Sequence, residues 1–238
     1  LGSLVKQHDV PALGVCVVRE GRVVAHGVAG VRARPKAGAG VPVTNDDLWH
    51  VGSISKSMTA TLCARLVERG DLRFEQTLAE SFPELKDRLH PRFAPVTLHQ
   101  LLMHRGGVEG GAPPVLWLQL MDWKGSLVEA RQHVVESLLT LPPDYEPGTL
   151  PGGRLVYSNL GVVIAGHIAE HATGRAWEDL IREHVFEPLG MRSAGFGAPG
   201  ARGEIDQPRG HREGGAPVPP GKAADNPQTI APAGTVHA

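Results

Sequence analysis

Residues 51–59 read VGSISKSMT, and the pattern that follows to Arg69 is helical and largely apolar, with Gly70 placed to stop it. A serine at the mouth of a helix is ordinary, because its hydroxyl can cap free N–H groups. A lysine three residues later is less so. On a helix, Ser53 and Lys56 share one face, at the start of a run otherwise made for burial. The stretch therefore reads either as a cap with a solvated lysine or as a nucleophile with a proton partner. Its neighbours in the chain decide between the two.

A serine hydroxyl is a weak nucleophile at neutral pH and needs a base. Desolvation disfavours the charged form of a lysine, so an enclosed Lys56 could take or relay a proton. A helix start adds free N–H groups suited to a developing oxyanion. A second segment, residues 156–161 (VYSNLG), places Tyr157 and Asn159 where a loop runs into an apolar helix. Beside an ammonium, the Tyr157 phenol moves toward the range useful for general base work, and the Asn159 amide both donates and accepts. Read alone, that segment is equally a packed tyrosine with a capping asparagine.

Together, and in this order along the chain, the two segments resemble the serine β-lactamase-like superfamily of class C β-lactamases, DD-carboxypeptidases, D-aminopeptidases and related esterases. The resemblance runs from the hairpin at Gly14 through 52–56 (GSISK), 101–107 (LLMHRGG), 146–149 (EPGT), 157–159 (YSN), 188–191 (PLGM) and 232–234 (PAG). It implies Ser53 as the acylated nucleophile, whose own N–H is one oxyanion donor. It implies Lys56 as proton-relay partner, Tyr157 as general base, and Asn159 as a residue that holds Lys56 and binds substrate. The implied reaction passes through an acyl-enzyme on an amide, ester or β-lactam carbonyl, without cofactor or metal. The implied fold is α/β (α+β), an antiparallel sheet with flanking helices plus a mainly helical lobe. Work in the periplasm or outside the cell is the family habit.

The rest of the chain fits a single catalytic domain over residues 1–238. Residues 13–18 and 23–31 read as a β-hairpin with 19–22 (REGR) as its turn, and 33–46 as a Gly/Pro/Ala connector. Within 51–194, helices are expected at 53–69, around Leu78 and Phe82, after Thr97, and over 127–141, 160–171 and 177–186. Residues 195–238 read as a Gly/Pro-rich excursion. Two strands cannot hide both faces of a sheet, and the family's third element, Lys-Thr-Gly or a His-x-Gly variant, does not follow Tyr157. The letters of 234–237 (GTVH) fall before the family's closing strands, which makes His237 a poor stand-in. The expectation is that those strands lie beyond this chain. The 238 residues alone would then be inactive or poorly folded without that segment or a second chain.

Composition narrows the partners. With 41% hydrophobic and 21% charged residues and a net charge of -1, nothing favours nucleic acid or an anionic membrane, and no apolar run spans a bilayer. The start, LGSLVKQHDVPALG, lacks the charged and apolar regions of a signal peptide. The expected partner is a small-molecule or peptide substrate. Cys16 and Cys63, each among apolar neighbours, are expected to be buried free thiols. Two other readings compete. His167, Glu170 and His171 spell H-x-x-E-H, which on a helix could bind zinc, against the plainer reading of a polar helix face. A non-catalytic relative could bind a ligand through the same cleft. Residues 117–123 (WLQLMDW) suit either a cleft wall, favouring an apolar acyl group and hence an ester or peptide, or ordinary helix packing.

Overall fold

A computed structural model describes residues 1–36, 38–108 and 110–238; residue 37 of the connector lies outside the described residues. The chain divides into two compact units, Leu1–His50 with Gly195–Asp225 and His237–Ala238, and Val51–Ala194 with Asn226–Val236.

The first unit opens with helix α1 (Gly2–Gln7) and an antiparallel hairpin, β1 (Ala12–Arg19) and β2 (Arg22–Gly30). The expected four-residue turn is tighter than read: Arg19 pairs with Arg22, and only Glu20 and Gly21 turn, with φ of 52° and 73°. Both positive values match the right-handed twist of the strands, which is why a two-residue turn closes here. Trp49 packs on the hairpin at Gly14, where a Cβ would stand 3.5 Å from the indole. Arg32 and Asp47 form an ion pair at 2.5 Å that joins the end of the hairpin to the connector. A two-residue strand, β3 (Gly195–Phe196), lies against His237, whose Nε2 would be 2.5 Å from a Cβ on Gly195.

One expectation fails in this unit. Cys16 is exposed, as are Val17, Val18, Val23 and Val24. An apolar run tells that a strand wants cover, but its residues alone do not supply the second layer.

The second unit is helical. Its elements are α2 (Ser55–Arg69), α3 (Leu78–Ser81), α4 (Leu98–Leu102), α5 (Pro114–Met121), α6 (Leu127–Leu139), α7 (Asn159–Thr173), α8 (Trp177–Ile181) and α9 (Ala231–Gly234). Gly70 ends α2 in the left-handed conformation at φ 84°, as its position implies. Thr77, Thr97 and Ser126 each close a capping box, with Glu80, Gln100 and Glu129. The pattern expected over 177–186 breaks in two, because after Ile181 the chain widens into a π-helical turn, Arg182–Phe186. The long excursion also ends sooner than expected, since residues 231–234 are helical and buried.

Helix α7 is the centre of this unit. Every residue from Leu160 to Glu170 is buried, so the helix is covered all round, and it packs on α2, α4, α6 and α9. Gly166 allows the closest approach: a Cβ there would fall 2.8 Å from the Pro232 ring of α9. Among the described residues, no helix is long and apolar enough to cross a membrane.

Candidate active site

The buried positions of α2 are Ser55, Lys56, Thr59, Leu62, Cys63 and Leu66, a stripe repeating every three or four residues. Lys56 lies on that stripe and is 9% exposed, so it is not a solvated lysine. Ser53 precedes the helix, in a 3-10 turn (Gly52–Ile54) entered through Gly52 at φ 53°. It does not cap α2; the helix start has no side-chain cap. Ser55 pins the turn instead, donating to the Gly52 carbonyl at 2.7 Å and accepting the Val236 N–H at 3.2 Å. Ser53 is left exposed at the surface of the unit.

The Lys56 ammonium donates to Ser53 Oγ at 3.1 Å and to the Ala233 carbonyl at 2.7 Å. Its Nζ also lies 4.6 Å from the centre of the Tyr157 ring. Three of the residues read from the sequence thus meet around one ammonium. Burial pushes the Tyr157 phenol up. Hydrogen bonding to Lys56 and Ser53, with the charge of Lys56, outweighs this and holds it below the usual tyrosine value. A phenol so placed gives up its proton more readily than a free tyrosine, and its oxygen belongs to the same hydrogen-bonded group as the Ser53 hydroxyl.

Asn159 is the first residue of α7 and is half-buried. Its N–H donates to the Gly110 carbonyl at 3.2 Å. Among the described residues no hydrogen bond joins it to Lys56, whose second anchor is the Ala233 carbonyl. Ser158 caps α7 by accepting the Gly161 N–H at 2.8 Å, and donates its own N–H to His104 Nδ1 at 3.1 Å. The segment 104–107 is in turn tied to 144–148. Tyr145 Oη donates to the His104 carbonyl at 3.0 Å, Asp144 N–H to Gly107 at 2.9 Å, and Gly148 N–H to Arg105 at 2.8 Å. Sequence segments that are far apart therefore converge on the Tyr157 turn.

Two participants were not assigned from the sequence. The Ala233 carbonyl carries no side-chain signal. His104 stands in a noticed segment, but only its left-handed backbone, φ 57° in a non-glycine residue, would mark it, and that is invisible in letters.

The H-x-x-E-H pattern serves packing. His167 and His171 both contact the Phe82 ring, each with centroids 5.6 Å away, one stacked and one edge-on. Glu170 accepts from Arg131 at 2.7 Å, from His167 Nδ1 at 2.7 Å and from the Trp177 N–H at 2.8 Å. In the segment 117–123, Trp123 stacks on His133 of α6 at 5.4 Å, while Leu116 and Leu120 are buried and Val115 and Leu118 exposed. His237 Nδ1 donates to the Gly197 carbonyl at 2.8 Å. Cys63 is buried, and burial pushes its thiol up to about 12.

The chain is 32% identical to Penicillin-binding protein 4 of Amycolatopsis lactamdurans over 193 residues, 81% of this chain and 46% of that one. It is 30% identical to Esterase EstB of Burkholderia gladioli over 186 residues, 76% of this chain and 45% of that one. The crystal structure of the D-alanine carboxypeptidase AmpC from Burkholderia cenocepacia matches 99% of this chain and 57% of its own, with a TM-score of 0.73 and 27% identity. The chain spans about half the length of the curated relatives it matches. The family model described as Beta-lactamase covers residues 1–238, and by that match and by its fold the chain belongs to the Beta-lactamase family.

Proposed function

We propose that this chain carries the nucleophile side of a serine hydrolase acting through an acyl-enzyme on an ester, amide or β-lactam carbonyl. The observation that carries this reading is the Lys56 ammonium, buried, bonded to Ser53 Oγ at 3.1 Å and set 4.6 Å from the Tyr157 ring. In the proposed reaction Tyr157 starts as the phenolate beside the Lys56 ammonium; Ser53 Oγ bonds to the acyl carbon while its proton passes to that phenolate oxygen. The tetrahedral oxyanion then collapses, the bond to the leaving alcohol or amine breaks, and that group takes the proton. Water repeats the sequence: it loses a proton to the Tyr157 phenolate as it adds to the acyl carbon, and that proton passes to Ser53 Oγ as the acyl–Oγ bond breaks, restoring both groups. Asn159, at the head of α7, is the proposed contact for the amide or ester neighbourhood of the substrate.

The names of the relatives, a penicillin-binding protein, an esterase and a D-alanine carboxypeptidase, point to β-lactam, ester and amide carbonyls, which supports this reading. Ile54, 58% exposed beside Ser53, supports an apolar acyl group and hence a preference for an ester or peptide. Incubation with a fluorophosphonate or a penicillin should add one adduct at Ser53, read by mass, that Ser53→Ala removes. A folded wild-type chain that stays unlabelled even with the closing strands supplied would sink the reading in favour of a binding protein. Comparing kcat/KM for a chromogenic cephalosporin and a short-chain aryl ester decides the substrate class.

A further inference from the structure

Tyr157 is 43% exposed, so the core does not hold its ring. Its ring neighbour is His104, with centroids 4.7 Å apart and planes inclined at 35°. His104 also reaches the backbone beside Tyr157, because its Nδ1 accepts the Ser158 N–H at 3.1 Å. That bond requires an unprotonated Nδ1 and so places the ring proton on Nε2. Burial, and then the Lys56 ammonium, push the imidazole below its ordinary value, which keeps the neutral form in place.

The surroundings of His104 are built to aim it. Its backbone sits at φ 57°, a region that non-glycine residues seldom adopt. The turn is held there by Tyr145 Oη on the His104 carbonyl and by Gly148 N–H on the Arg105 carbonyl. On the far side of the same bond network, Ser158 caps α7. A ring aimed by one clamp thus fixes the turn that begins another helix, and Tyr157 lies between them.

We propose that His104 is a positioning residue for the acyl-transfer site: its neutral imidazole, packed on the Tyr157 ring and accepting the Ser158 N–H, holds the Tyr157 phenol against Lys56 and Ser53. This rests on the assignment of Tyr157 as general base. His104 touches no reacting atom; it acts through the side chain it aims. Displacing a catalytic group by about 1 Å costs on the order of 10²-fold in rate, so a loss of that size is the expected effect.

Two variants separate aiming from folding. His104→Gly removes ring and acceptor yet adopts a positive φ without strain, whereas His104→Asn keeps an acceptor and tolerates the same backbone. The chain has two tyrosines, Tyr145 and Tyr157, so ¹³Cζ-tyrosine labelling gives two resonances, assigned by the signal that Tyr157→Phe removes. Acylation of Ser53 by a penicillin should slow roughly 10²-fold in His104→Gly, with an intermediate loss in His104→Asn. The Tyr157 resonance should titrate higher in His104→Gly than in wild type, with His104→Asn between them. A His104→Asn chain indistinguishable from wild type in both readouts, or one as impaired as His104→Gly, overturns the proposal. So does a folded His104→Gly whose Tyr157 titration is unmoved. If wild type is not labelled at Ser53 even with the closing strands supplied, the acyl-transfer reading has failed, and the titration order alone still decides whether His104 positions Tyr157.

Discussion

Lys56 and Arg131 are both buried in the helical unit, and they are treated in opposite ways. Arg131, fully buried on α6, is met by two carboxylates: Glu170 at 2.7 Å and Glu178 at 2.8 Å. Lys56, on α2, has a hydroxyl, a backbone carbonyl and the face of a phenol as its neighbours, and among the described residues no carboxylate pairs with it. A cation matched by carboxylates is electrostatically closed and can only hold structure. One that donates to a serine hydroxyl and faces a phenol leaves two groups beside it that can pass a proton between them, at the cost of a poorly compensated charge. Both centres come from short helical patterns, S-x-x-K and H-x-x-E-H, so the difference lies in what packs around them.

The sharpest way to break this contrast is at Ser53. Ser53→Ala should lower acylation by at least ~10³-fold while leaving the urea midpoint nearly unchanged, measured by adduct mass and by circular dichroism. A parallel loss of stability would mean that the Lys56 centre is structural after all. Arg131→Met should do the reverse. It leaves Glu170 buried without its guanidinium and should cost about 3–5 kcal/mol in urea unfolding.

The same centre makes a pH prediction. Burial pushes the Glu170 carboxyl up, but His167, Arg131 and the Trp177 N–H outweigh it and hold the group below the usual glutamate range. A carboxyl depressed in the folded state stabilises above its unfolded pKa of about 4.3, and that stability fades as pH falls through the lower folded value. The gap in urea midpoint between wild type and Glu170→Gln should therefore be widest near neutrality and narrow below pH 4.3 or so. A gap independent of pH would show that the Glu170 charge does not stabilise the fold.

Gly166→Ala tests whether the two centres are mechanically joined through α7. The added Cβ falls 2.8 Å from Pro232, next to the carbonyl that anchors Lys56. Overpacking of this kind costs about 1–3 kcal/mol, and acylation should slow with it if α9 is displaced from Lys56. Thr97→Ala, which opens the capping box of α4 and removes no partner of either cation, should cost about 1 kcal/mol and leave acylation alone.

What the letters could and could not convey follows from these cases. The helix start at Thr97 and the stop at Gly70 were legible, because caps act within four residues. The pairing of Ser53 with Lys56 was legible for the same reason, and the nearness of Tyr157 came from the resemblance. The meaning of H-x-x-E-H was not, since Arg131, which closes it, lies 39 residues from Glu170. Neither was the exposure of Cys16, because a strand's apolar run does not say what covers it. His104 escaped because a left-handed backbone and an accepted N–H leave no trace in residue type.

The two cysteines offer a clock. Cys16 on β1 is open to reagent, whereas Cys63 lies in the buried stripe of α2, seven residues beyond Lys56, with its thiol at about 12. Maleimide or disulfide reagents should therefore consume one thiol quickly and the second only when α2 lifts from its neighbours. The rate of that second event times the breathing of the helix that carries Lys56, and any ligand seated at Ser53 should lengthen it.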